Sequence, residues 1–203
     1  MKIIEQNRAP NPRRVRIFLA EKGISVPFEQ LDLLKLEHRS AGFSATNPMR
    51  QVPVLVLDDG TAISESVAIC RYFEETNPLP VLFGTGARGR AIVEMMNRRM
   101  ELGLLNRVAQ AFRHTHPAMA ELESPQFKDW GEANRGRIGD MLEIMDKGLA
   151  ANEFIAGDAY SIADITALVA VDFMKPIKYD RPAGLSNLGR WYDAVAARPS
   201  AKA

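Results

Sequence analysis

The sequence predicts two folded parts, an α/β domain over residues 1–77 in the order β-α-β, β-β-α and an all-helical domain over residues 87–203. Three observations predict it. Short strand-like runs alternate with helical repeats up to Glu75; Asn77-Pro78-Leu79-Pro80 and Gly84-Thr85-Gly86 then crowd turn-forming residues into a linker at 78–86; no strand pattern follows.

Lys2–Glu5 reads as the first strand. Pro12–Lys22 carries Val15, Phe18 and Leu19 at helical spacing, with Gly23 standing where a C-cap glycine belongs. Val26–Leu33 reads as a second strand, and a polar stretch follows. Val52–Leu57, the turn Asp58-Asp59-Gly60 and Ala62-Ile63 form a hairpin, and Val67–Glu75 is a helix with Val67, Cys70 and Phe73 inward. In the second part, Arg88–Arg113 and Gln126–Ala151 are long helical patterns. Ile162–Phe173 is apolar all round, as a helix central to a bundle is, and Leu188–Ala197 is a last amphipathic helix. Ser161-Ile162-Ala163-Asp164 fits a capping box.

Composition narrows the function classes. The 203 residues, 46% hydrophobic, suffice for a sizeable core. With 26 basic against 25 acidic side chains, no basic excess exists to displace phosphate counterions, so nucleic acid is not an expected partner. Arg13-Arg14-Arg16 and Arg98-Arg99 read as solvated helix faces. One cysteine excludes an internal disulfide and fits a reducing compartment. Met1–Glu5 lacks a signal peptide's apolar stretch, and no apolar run approaches the ~20 residues of a membrane span, so a cytoplasmic protein is expected. His114 and His116, two apart, share no helix face, so no metal site is expected.

The stretch Asn47-Pro48-Met49-Arg50-Gln51-Val52-Pro53-Val54-Leu55 places a proline at the first residue of a strand, where its missing N–H need not be paired. A cis bond before Pro53 turns the backbone groups of Val52 outward, free to pair with an extended ligand. Downstream, Ser64-Glu65-Ser66 opens a helix whose free N–H groups and positive dipole end suit a carboxylate. Together they form a socket for a small peptide with a free carboxylate.

This pattern, with the domain order and the linker, resembles the cytosolic glutathione transferase family, and the resemblance spans essentially the whole chain. It implies a thioredoxin-like α/β domain, a helical domain, glutathione as co-substrate, a homodimer, and transfer of the glutathione thiolate to an electrophilic small molecule. By resemblance Val52 pairs with the cysteinyl unit, Pro53 is the cis proline, Gln51 approaches the glycyl end, and Glu65 and Ser66 hold the γ-glutamyl amine and carboxylate. His38, in the theta-like segment Glu37-His38-Arg39-Ser40, reaches the glycine carboxylate. Against the bacterial pattern Ser-Pro-Asn-Ala-Arg-Lys-Val-Arg, the serine that serves the sulfur falls on Ala9; no Tyr, Ser, Thr or Cys occurs in the first 24 residues. Asn11 matches the asparagine that serves the sulfur in nu-like bacterial members, known for glutathione-dependent disulfide reduction, and it also reads as the N-cap before Pro12. Disulfide reductase or peroxidase, and a non-catalytic regulatory binder, stand as alternative readings. An acceptor pocket is expected between the first-strand loop and the long helix, lined by Leu104, Asn106, Arg107 and Phe112.

Overall fold

A computed structural model describes all 203 residues, Met1–Ala203. It divides into two compact units, Met1–Pro80 with Lys202–Ala203, and Val81–Ala201. In the first, β1 (Lys2–Glu5), α1 (Pro10–Lys22), β2 (Phe28–Gln30), α2 (Ala41–Thr46), β3 (Val54–Val56), β4 (Ala62–Ser64) and α3 (Ser66–Thr76) follow one another. The four strands lie in the order β2-β1-β3-β4, with β1 parallel to β2 and antiparallel to β3. This is the thioredoxin-like arrangement expected of βαβ-ββα.

Strand alternation divides the apolar residues between two faces. Ile4 and Val54 join Leu31 and Phe43 in one cluster, against which Val52 and Val56 pack. Ile3 and Leu55, on the opposite face, are fully buried, as are Val15 and Phe18 of α1 and Ile69 of α3. The polar stretch before Asn47 contains a helix that periodicity does not show. In α2 only Phe43 is buried, and Ser40 caps it by accepting the Phe43 N–H. One phenylalanine, worth about 1.5–3 kcal/mol when buried, anchors the segment.

Several boundaries differ from the sequence reading; among them, β3 shrinks from Val52–Leu57 to Val54–Val56, so Pro53 stands just before the strand and not at its start. The first helix begins at Pro10, with Ala9 as an N-cap that contributes no side-chain bond, so Asn11 lies inside the first turn and is not the cap. Proline at the first helical position costs no hydrogen bond, because that N–H is unpaired in any helix. The second strand shrinks to Phe28–Gln30, the three residues that pair with Ile3–Glu5. Gly23 closes α1 at φ 65°, the left-handed conformation that a glycine tolerates best.

The second unit is helical: α4 (Gly86–Arg98), α5 (Asn106–Thr115), α6 (Lys128–Gly136), α7 (Ile138–Leu149), α8 (Ile162–Asp172) and α9 (Ser186–Ala196). The first long pattern continues from α4 to α5 through a π-helical stretch, Arg99–Leu105. The second divides at Arg137, between the end of α6 at Gly136 and the start of α7 at Ile138, where φ −90° and ψ −2° lie at the edge of the helical region. Helix α8 is buried from Ile162 to Val171. Its start is closed: Ser161 and Asp164 form the capping box, and the Asp164 carboxylate also accepts from the Ile155 N–H and the Trp191 indole, each at 2.8 Å. Burial pushes the Asp164 carboxyl up to about 6, against the pull of the donors from Ile155, Trp191 and Ser161.

Candidate functional site

The register of the sheet gathers the site at one end of the first unit. Ile4 and Ser64 both pair with Val54, so the chain leaving β1, the chain entering β3 and the chain leaving β4 emerge side by side. These carry Gln6–Ala9, Val52–Pro53 and Glu65–Ser66 respectively.

Each segment is held differently. Arg16 reaches back from α1 to bind the buried Glu5 carboxylate at 2.7 and 2.9 Å and the Asn7 carbonyl at 2.6 Å, which fixes the loop after β1. Gln30 adds a bond to Glu5 at 2.8 Å. Asn47, itself buried, donates to the Gln51 carbonyl at 2.8 Å and accepts from the Met49 N–H at 3.1 Å, which shapes the turn leading to Val52. The Val52–Pro53 peptide is cis. Val52 packs its side chain on the cluster beneath, while its N–H and C=O take no backbone partner.

Glu65 is exposed and adopts φ 69°, a conformation L-residues avoid at a cost of ~1–3 kcal/mol, and such outliers gather at ligand sites. As the residue before α3 it makes no side-chain cap, so the N–H groups of Ser66, Val67 and Ala68 stay open. Ser66 is buried, and its hydroxyl oxygen accepts from Arg14 Nη1 at 3.1 Å. The start of α1 is sparser in donors. Pro10 and Pro12 have no N–H, and Arg13 N–H is bonded to the Ala9 carbonyl at 3.2 Å. Asn11 keeps both its backbone N–H and an exposed side-chain amide.

His38 lies in a short 3-10 turn and is buried, with Nδ1 unpaired. Burial, then the charges of Arg39 and Arg50, hold its pKa below 6.5. Arg50 takes φ 55° in the turn before exposed Gln51. Cys70 is fully buried, and burial pushes its thiol up to about 12, so it supplies no thiolate.

In the helical unit Asn106 is exposed and Arg107 half-buried, while Phe112 packs on Phe173 at 5.1 Å and on His116 at 4.8 Å. Leu104 is fully buried and meets no open surface. His114 accepts the Phe127 N–H and His116 the Ala118 N–H, each through Nδ1. A cavity of about 460 Å³ bordered by Lys175, Lys178, Arg181 and Tyr192 contains none of the residues expected to act.

Sequence reasoning missed two arginines. The sequence alone places Arg14 and Arg16 on a solvated face with Arg13. Instead Arg14 is completely buried and Arg16 is paired with a buried carboxylate. Their neighbours give no periodic signal of this; only the facing Glu5, as the last residue of a central strand, hints at a partner.

The glutathione S-transferase N-terminal domain family matches residues 9–76, and the C-terminal domain family matches residues 128–194. The chain belongs to the glutathione S-transferase family. As a member it is a transferase enzyme with glutathione as co-substrate. It is 38% identical over its whole length to glutathione S-transferase 2 of Saccharomyces cerevisiae, covering 88% of that protein. The crystal structure of yeast Gtt2 superposes with a TM-score of 0.95, at 38% identity over 100% of this chain and 99% of that one. A glutathione S-transferase domain-containing protein of Marinobacter aquaeolei gives a TM-score of 0.96 at 43% identity, covering 98% of this chain and 99% of that one. The chain is also 42% identical to rat maleylacetoacetate isomerase over 171 residues, 82% of this chain and 74% of that one.

Proposed function

We propose that this glutathione transferase binds the tripeptide along the sheet end of its first unit and delivers the thiolate to a small electrophile. In this reading residues 1–77 form the glutathione-binding domain, 78–86 the linker and 87–203 the helical domain. Val52 pairs its free backbone groups with the cysteinyl unit beside Pro53. Glu65 takes the γ-glutamyl amine, and Ser66 with the open N–H groups of α3 takes the γ-glutamyl carboxylate. Gln51 and His38 meet the glycyl end, where Arg39 and Arg50 add positive potential. The observation that carries the reading is the open start of α3: a helix terminus whose donors Glu65 leaves uncapped, with a hydroxyl at its mouth, suits an anion.

Asn11 is the residue we assign to the sulfur. A glutathione thiol with the ~8.5 pKa of an ordinary cysteine is mostly protonated at neutral pH, so donors to the anion raise the reactive fraction. Asn11 offers two N–H sources, backbone and amide, at a helix start that Pro10 and Pro12 otherwise strip of donors. The accessible groups of Asn106, Arg107 and Phe112 are our candidates for acceptor contacts on the helical unit, with Leu104 packed in its core. A homodimer in the cytoplasm is proposed with it, supported by family membership and by large exposed apolar side chains such as Leu102. No helix is long and apolar enough to cross a membrane. Light scattering at twice the chain mass supports the dimer, and the monomer mass removes it.

The test is turnover with a generic aryl halide and with hydroxyethyl disulfide, in the wild type and in Asn11→Ala. Both rates should require glutathione, and the variant should lose about tenfold in kcat, the loss of one hydrogen bond to a charged atom. Unchanged rates in Asn11→Ala defeat the assignment of the sulfur ligand.

A further inference from the structure

Ser66 and Arg14 stand 52 residues apart in the chain, yet the guanidinium Nη1 lies 3.1 Å from the serine oxygen and both side chains are buried. The chemistry of the two groups makes this contact directional. A guanidinium has donors and no acceptor and stays charged at any physiological pH, whereas a hydroxyl has one proton and two lone pairs. Ser66 therefore accepts from Arg14, and its own proton is turned to the other side. A cationic donor behind the oxygen also polarises the O–H and strengthens what it gives.

The positive charge extends into the same helix, where it opposes the effect of burial on the Cys70 thiol. In front of Ser66 stand the open N–H groups of the first turn of α3. With the hydroxyl proton added, Ser66 and the first-turn N–H groups all offer donors, an arrangement that accepts a carboxylate, while the Glu65 carboxylate beside them is left for the ammonium.

We propose that Arg14 is the positioning residue that fixes Ser66 as a hydrogen-bond donor and so makes the start of α3 select glutathione by its γ-glutamyl carboxylate. This rests on the reading of Ser66 as the ligand of that carboxylate. Arg14 itself touches no substrate; it acts through the serine.

The experiment compares calorimetric affinities for glutathione and for γ-aminobutyryl-cysteinyl-glycine, the same peptide without that carboxylate. The ratio is taken on each protein sample, so partial unfolding cancels. The wild type should prefer glutathione, and Ser66→Ala should reduce the preference by roughly tenfold or more, the value of a hydrogen bond to a charged group. Arg14→Met should reduce it by about tenfold as well, with affinity for the decarboxylated peptide nearly unchanged. Arg14→Lys keeps the charge on a shorter reach without the fork, and lysine stands there in the bacterial pattern; it should fold and lose roughly threefold. The double variant Ser66→Ala with Arg14→Lys should discriminate no worse than Ser66→Ala.

The failures are distinguishable. A full preference in Ser66→Ala removes the carboxylate ligand on which the inference stands. A reduced preference there, with the full wild-type ratio in folded Arg14→Met or Arg14→Lys, overturns the role of Arg14. If Arg14→Met does not fold, Arg14→Lys alone decides. If Arg14→Lys does not fold either, the arginine serves folding, and the proposal falls.

Discussion

Two helix starts in this molecule, those of α3 and α8, solve the same problem in opposite ways. Every helix begins with backbone N–H groups that have no partner within it. At α8 they are met internally: Ser161 Oγ accepts from Ala163, the Ile162 N–H reaches the Leu82 carbonyl at 2.9 Å, and Asp164 collects Ser161, Ile155 and Trp191. At α3 the residue before the helix is a glutamate at φ 69° that caps nothing, and the one buried hydroxyl is turned by an arginine. A closed start is an element of folding. An open start, held open by a backbone that costs stability, is what the proposed binding mode uses.

Substitutions that separate stability from affinity test this contrast. The largest effect belongs to Asp164→Ala, which leaves the Trp191 indole and the Ile155 and Ser161 N–H groups unpaired in a dry interior. We expect a loss of about 3–5 kcal/mol in denaturant unfolding, with glutathione affinity of the remaining folded protein unaltered. A fully stable variant would deny that the α8 start is a folding device. Ser66→Ala should shift the balance toward affinity, with a loss of roughly 1–3 kcal/mol in glutathione binding. Its stability loss should be smaller than that of Asp164→Ala, because one buried Arg14 N–H loses its acceptor. Equal affinity would close the α3 site.

Glu65→Gly sharpens the comparison further. Glycine accepts a positive φ without strain, so the variant should gain about 1 kcal/mol of stability while binding glutathione more weakly. A variant both more stable and equally tight would mean the strained glutamate has no binding role.

The smallest expected effect is on His38. Burial and the nearby arginines favour its neutral form in the folded protein, so the unfolded chain binds more protons below pH 6.5. Its contribution to stability is thus present above pH 6.5 and is lost as pH falls below that value. A glycine carboxylate docked against the imidazole favours the charged form and should raise the midpoint. An NMR titration of the His38 ring should show that rise on saturation with glutathione, and an unmoved midpoint excludes the contact.

Much of this was legible from local pattern, and the exceptions have physical causes. Lys2–Glu5, the Gly23 cap, the hairpin and the wholly apolar α8 announce themselves through alternation, punctuation and hydrophobicity. Helix α2 stayed hidden because one buried side chain, Phe43, makes no periodic signal. The division at Arg137 escaped because apolar spacing runs across it, and the π-helical Arg99–Leu105 because seven residues are too few to register a changed period. Arg14 and Arg16 were illegible for a different reason. Their burial is decided by a serine far along the chain and by a carboxylate on a neighbouring strand. Charge in sequence says nothing of who stands opposite.

The two prolines of α1 carry a consequence for the timing of chemistry. In the proposed binding mode they remove donors from the sulfur end while the carboxylate end remains rich in them, which separates how tightly glutathione is held from how reactive it is. In that mode the enzyme is expected to fill with the tripeptide at neutral pH, while the ionisation of the bound sulfur rests on Asn11 alone. Its rate would then climb with alkalinity toward a thiol pKa that Asn11 draws below the ordinary ~8.5, so that the charge on one sulfur hangs on one amide.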